Sequence, residues 1–117
     1  MCLVPLKKSG VFETVIPTKM IEFMSCGRPV ILGVDGQARE ILERSQAGLC
    51  IEPDNPTALC EAIQKLQRQP FLRESMGRNG REYIVKNLSR ERTAAEYLEI
   101  LNQLMEGNTG TQEAAAA

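Results

Sequence analysis

Apolar residues along this chain come in short runs that alternate with helical stripes. Cys2-Leu3-Val4-Pro5-Leu6 reads as a buried strand ending near its proline. Lys7 to Ile16 follows as a loop, with Ser9-Gly10 marking a turn. Pro17 suits the first position of a helix, where its fixed φ and missing N–H cost nothing. That helix should run to about Cys26, with Gly27 as the left-handed residue that ends it. Val30-Ile31-Leu32, bounded by Pro29 and Gly33, is a second strand. A turn at Asp35-Gly36 leads into a helix from Gln37 to about Ser45, closed by Gly48, and Leu49-Cys50-Ile51 is a third strand. Asn55 caps the next helix and Pro56 opens it, and Leu59, Ala62, Ile63 and Leu66 recur there on one face. Pro70 starts another helix, loosened by Gly77 and Gly80 and reaching about Asn87. Ser89 caps the last, whose stripe is Ala94, Tyr97, Leu98, Leu101 and Met105. From Gly107 the residues turn small and polar, so 107–117 is expected to be a disordered tail and 1–106 the folded domain.

Short apolar strands alternating with helices predict an α/β fold with parallel pairing and right-handed crossovers. Three strands make a thin sheet, whereas a doubly wound nucleotide-binding domain has about six, built from two halves. The pattern is therefore that of half a Rossmann-like domain: about three short parallel strands, flanking helices and a C-terminal helical segment.

Composition narrows the function by exclusion. The chain has 117 residues, 43% apolar and 25% charged, with a formal net charge of -1, which lacks the basic excess of a nucleic-acid binder. It contains no histidine, which removes the commonest general base and most transition-metal sites. Cys2, Cys26, Cys50 and Cys60 form no Cys-x-x-Cys pair and read as buried free thiols, so no metal is expected. No apolar run approaches the ~20 residues that span a bilayer, and no signal sequence opens the chain, so a cytoplasmic location is expected.

The candidate chemistry lies in Ile16 to Leu32, "IPTKMIEFMSCGRPVIL", where Glu22 sits among Met20, Ile21, Phe23 and Met24. Burial should discourage a carboxylate there, which raises the question of what it serves. In open parallel α/β sheets ligands bind beyond the carboxyl ends of the strands, where loops feed helix N-termini. The loop 7–16 and the helix start at Pro17 have that location. Free N–H groups and the helix dipole attract an anion, and Thr18 and Lys19 add a hydroxyl and a positive charge. Lys19 and Glu22, three apart, share a helix face. A carboxylate one turn deeper can accept hydrogen bonds from two neighbouring hydroxyls, as a ribose presents. The alternative is a solvated Lys–Glu pair worth a few tenths of a kcal/mol. No glycine-rich phosphate loop or Walker-type lysine is present. Arg28, Lys7-Lys8, Asp35 and Glu40 read as ordinary surface or turn residues.

From Leu3 to Leu104 the chain resembles the C-terminal end of a bacterial family 4 glycosyltransferase of GT-B fold. "PTKMIEFMSCGRPVI" carries the resemblance, with "GQAREILERSQAGLCIEPDNPTALCEAI", "MGRNGREYI" and "SRERTAAEYLEIL" extending it. The resemblance implies a two-Rossmann-domain enzyme whose C-terminal domain binds a nucleotide-diphosphate sugar. It implies retaining transfer in cell-envelope polysaccharide or glycan synthesis, without a metal or other cofactor. Thr18 and Lys19 would lie by the diphosphate and Glu22 would hold the ribose. The family often has a second glutamate with seven residues between it and the first; counting back from Glu22 gives Thr14, with Glu13 one position away. The implied partners are the nucleotide-sugar donor, a missing N-terminal acceptor-binding domain or another chain supplying it, and an anionic membrane that the full enzyme touches peripherally. The chain alone is expected to be inactive. Two other readings stand beside this one: a catalytically silent nucleotide-sugar-binding or assembly module, and an unrelated flavodoxin-type nucleotide-binding protein.

Overall fold

The computed structural model describes residues 1–116, with side chains described through Gly107. It divides into two compact units, Met1–Lys86 and Asn87–Ala117.

In the first unit three short strands, β1 (Cys2–Pro5), β2 (Val30–Gly33) and β3 (Gly48–Cys50), form one sheet in the order β1-β2-β3. Both pairings are parallel, with Val4 opposite Leu32 and Ile31 opposite Leu49. The helices between them are α1 (Thr18–Ser25) and α2 (Gln37–Ser45), followed by α3 (Pro56–Arg68) and α4 (Pro70–Asn87). A single turn of 3-10 helix, Phe12–Thr14, interrupts the loop after β1.

The central strand is buried at all four positions, as a parallel strand covered on both faces must be. Side chains alternate across a strand, so its residues divide between two clusters. Val30 and Leu32 join Val4, Met20, Met24, Ala38 and Leu42 on the α1 and α2 face. Ile31 meets Ala62 and Leu66 of α3 on the other. The predicted stripe of α3 is thus the observed core face, and the Asn55 side chain caps it by accepting the Ala58 N–H at 2.9 Å.

Several local expectations change. Pro17, with ψ 126°, is the capping residue of α1 and not its first helical residue. Helix α2 ends at Gln46 in the left-handed region (φ 52°), not at Gly48. Gly48 instead lies where β3 crosses close to β2, since a Cβ there would fall 1.8 Å from the Val30 carbonyl oxygen. Gly77 and Gly80 do not loosen α4; both are buried, and Gly77 lets α4 rest on the Gly27 carbonyl. Cys26 and Cys60 are exposed rather than buried, the first at the end of α1 and the second on the outer side of α3.

The second unit is built on α5 (Arg90–Ala116). The Ser89 hydroxyl accepts the Arg92 N–H at 3.3 Å, as the predicted cap requires. The side chains from 108 onward, where a disordered tail was expected for 107–117, lie outside the described residues. Among the described residues no helix is long and apolar enough to cross a membrane.

Candidate functional site

Parallel pairing puts the carboxyl ends of all three strands on one edge of the sheet, so three loops gather there. They are residues 6–16 after β1, Val34 to Gly36 after β2, and Ile51 to Asn55 after β3. The backbone N–H of Lys8 donates to Asp54 Oδ2 at 2.9 Å, tying the first loop to the third. The first loop is also seated on the second. Gly36 has φ 86° and ψ -145°, and a Cβ on it would fall 2.0 Å from the Glu13 carbonyl oxygen. Only glycine adopts that backbone readily and leaves that space. Between these contacts Thr14 Oγ1 donates to the Val11 carbonyl at 3.2 Å, closing the 3-10 turn.

This seating delivers the chain to the start of α1. Thr18, Lys19 and Glu22 are all exposed there, while Met20 and Met24 point inward and are completely buried. The carboxylate of Glu22 is therefore not an acid in an apolar core. The helix turns it outward, on the same side as Lys19. Among the described residues neither side chain has an ion-pair partner, so the two are available to a ligand rather than committed to each other. Glu13 and Thr14 are also exposed, on the loop that leads in.

A separate hollow lies at the same edge of the sheet, on the α3 side. An open groove of about 560 Å³ runs over the carboxyl ends of the strands, floored by Leu6, Gly33, Ile51 and Leu59 and rimmed by Lys7 and Glu52. None of Glu13, Thr14, Thr18, Lys19 or Glu22 lines it. Glu13 lines a narrow crevice of about 10 Å³ with Lys8, Asp35 and Pro53, where the three loops converge.

Asp35, Arg39 and Glu43 are already engaged with one another. Arg39 donates to Glu43 and to Asp35, each at 2.9 Å, and these bonds raise its pKa. Asp35, in the loop before α2, is therefore held by an arginine of that helix's first turn. Burial, followed by repulsion from Glu43, pushes the Cys50 thiol up to about 11. No group of three or more Cys, Asp or Glu side chains among the described residues is placed to hold a metal. Sequence reasoning missed Asp54 and Gly36. The only signal for either was turn composition, since a contact between residues 8 and 54 leaves no local pattern.

The sequence model described as "Glycosyl transferases group 1" matches residues 6–83, more than half of the 117. An uncharacterised glycosyltransferase of Methanocaldococcus jannaschii is 38% identical over 66 residues, covering 56% of this chain and 19% of that protein. The human alpha-1,3/1,6-mannosyltransferase is 32% identical over 83 residues, covering 71% of this chain and 19% of that protein. The chain thus spans about a fifth of the length of these relatives, which come from an archaeon and from human. Among solved structures, a sucrose-phosphate synthase from Thermosynechococcus elongatus superposes with a TM-score of 0.74 at 29% identity, over 79% of this chain and 23% of that one. The Anabaena HepE protein in complex with UDP superposes with a TM-score of 0.71 at 19% identity, over 75% of this chain and 24% of that one. At that identity the second likeness is one of fold.

Proposed function

The chain belongs to the group 1 glycosyl transferases, and from that premise we propose that it is the donor-side part of a retaining glycosyltransferase similar to the bacterial family 4 enzymes. In this reading a nucleotide-diphosphate sugar lies across the start of α1. The diphosphate meets the helix N-terminus with Thr18 and Lys19, and Glu22 accepts the ribose hydroxyls. Glu13 or Thr14 approaches the sugar from the loop. The observation that carries it is the exposed, mutually unpaired Lys19 and Glu22 at the carboxyl edge of a sheet within the matched region. Helix N–H groups, a cation and a carboxylate in that order suit a phosphate followed by a diol.

Sugar transfer further needs an acceptor hydroxyl held against the anomeric carbon, and that positioning supplies much of the rate. In the proposed enzyme an acceptor-binding domain provides it, working in the cytoplasm at the inner membrane face on a cell-envelope glycan. Residues 1–117 alone then transfer nothing, and robust transfer by the purified chain would overturn the partial-enzyme reading. In a reconstituted full-length enzyme, with both the rest of the donor domain and an acceptor-binding domain present, Glu22→Ala and Lys19→Ala should each lower donor turnover at least tenfold, about 1.4 kcal/mol. Near-normal turnover in both variants would remove the pair from the donor site.

A further inference from the structure

Asp54 adopts a backbone that aspartate rarely takes, φ 59°, in the turn between β3 and α3. Aspartate and asparagine tolerate the left-handed region better than other non-glycine residues, yet glycine fits it with no penalty. The neighbouring Asn55 already caps α3 through Ala58, so that helix does not need the Asp54 carboxylate. What the carboxylate does instead is accept the Lys8 N–H, across 46 positions of sequence, where the chain leaves β1 for the loop. The crevice formed by Lys8, Glu13, Asp35 and Pro53 shows that this junction lies where all three carboxyl-end loops meet. Asp54 therefore holds one end of the loop, and the Gly36 contact with Glu13 holds its middle.

We propose that Asp54 is a positioning residue that acts through Lys8 to set the loop 8–16, and with it Glu13, Thr14 and the entry to Thr18, for donor binding. Its role in binding rests on the donor reading given above, while the tether itself stands on the geometry alone. Two substitutions separate tethering from mere folding. Asp54→Gly relieves the left-handed backbone and removes the acceptor. Asp54→Asn keeps both an acceptor oxygen and tolerance of the left-handed region. If the residue served stability alone, Asp54→Gly would lower the melting temperature and leave nucleotide binding by the folded chain unchanged.

The experiment uses the purified 117-residue chain, with amide exchange read by nuclear magnetic resonance and UDP and GDP titrated separately. Asp54→Gly should speed exchange of the Lys8 amide at least tenfold, leave the melting temperature at or above that of the wild type, and weaken nucleotide binding at least threefold. Asp54→Asn should restore both exchange and binding. Wild-type exchange at Lys8 in Asp54→Gly would overturn the tether. A freed Lys8 with undiminished binding would overturn the positioning role while the donor reading survived. Failure of the wild type to bind either nucleotide would overturn the donor reading and the positioning role with it, the exchange data still reporting on the tether.

Discussion

Glu22 and Cys50 show how a side chain's chemistry depends on which way its element turns it. Flanked by Met20, Ile21, Phe23 and Met24, Glu22 has the sequence surroundings of a buried residue, but one helical position is about 100° of rotation and the two methionines take the core. Cys50 is the opposite case, a half-buried thiol at the end of β3 raised to about 11 by burial and by Glu43. Because its folded value lies above the ordinary 9.0, any stability linked to this thiol is fully present below pH 9.0 and is lost as pH rises towards 11. The thiolate is the nucleophile, so Cys50 should be alkylated far more slowly than the exposed Cys26 and Cys60 at pH 8. Mass spectrometry after timed iodoacetamide treatment reads this directly. Equal labelling of Cys50 and Cys60 would show that β3 opens readily or that the thiol is not shielded.

At the scale of elements, the order of strands and helices was legible because each carries its own periodicity and punctuation. Asn55-Pro56 and Ser89 announced caps, and Val30-Ile31-Leu32 announced a buried strand. What stayed hidden was contact between elements, as with Gly77 of α4 on Gly27. A methyl added at Gly77 would come 2.2 Å from the Gly27 carbonyl oxygen, a backbone atom that moves only with the end of α1. One added at Gly80 would meet Ala47 Cβ at 3.0 Å and the Met24 side chain at 3.4 Å. Alanine in place of glycine favours an isolated helix by about 1 kcal/mol, whereas overpacking costs about 1–3 kcal/mol. Gly77→Ala should therefore destabilise the protein, and by more than Gly80→Ala does, in urea denaturation. A stabilised Gly77→Ala variant would mean that α4 does not rest on α1. The candidate site was legible to the same extent: Thr18, Lys19 and Glu22 follow from the start of a helix, while the Lys8–Asp54 tether depends on a long-range approach.

Across the first unit as a whole, the sheet has two edge strands, β1 and β3, on either side of a buried β2. β2 is covered on both faces, but β1 pairs only with β2, and Leu3 remains 42% exposed on the α3 side. Cys2 N–H donates to Pro29 at 2.9 Å and Leu6 N–H to Gly33 at 3.2 Å, so the even-numbered residues face the sheet. By the alternation of a parallel strand, the Leu3 N–H and the carbonyls of Leu3 and Pro5 point outward. An edge with apolar side chains and no charge invites another strand, and Pro5 blunts it by a single donor. The isolated chain should therefore self-associate through β1 as its concentration rises, visible as a growing mass in light scattering. In dilute solution the Leu3 amide should exchange quickly beside a protected Val4, and association should slow it. Leu3→Lys places a charge on the bare face and should keep the chain monomeric. A wild-type monomer at every concentration, with the Leu3 amide as protected as that of Val4, would show that the edge is already covered.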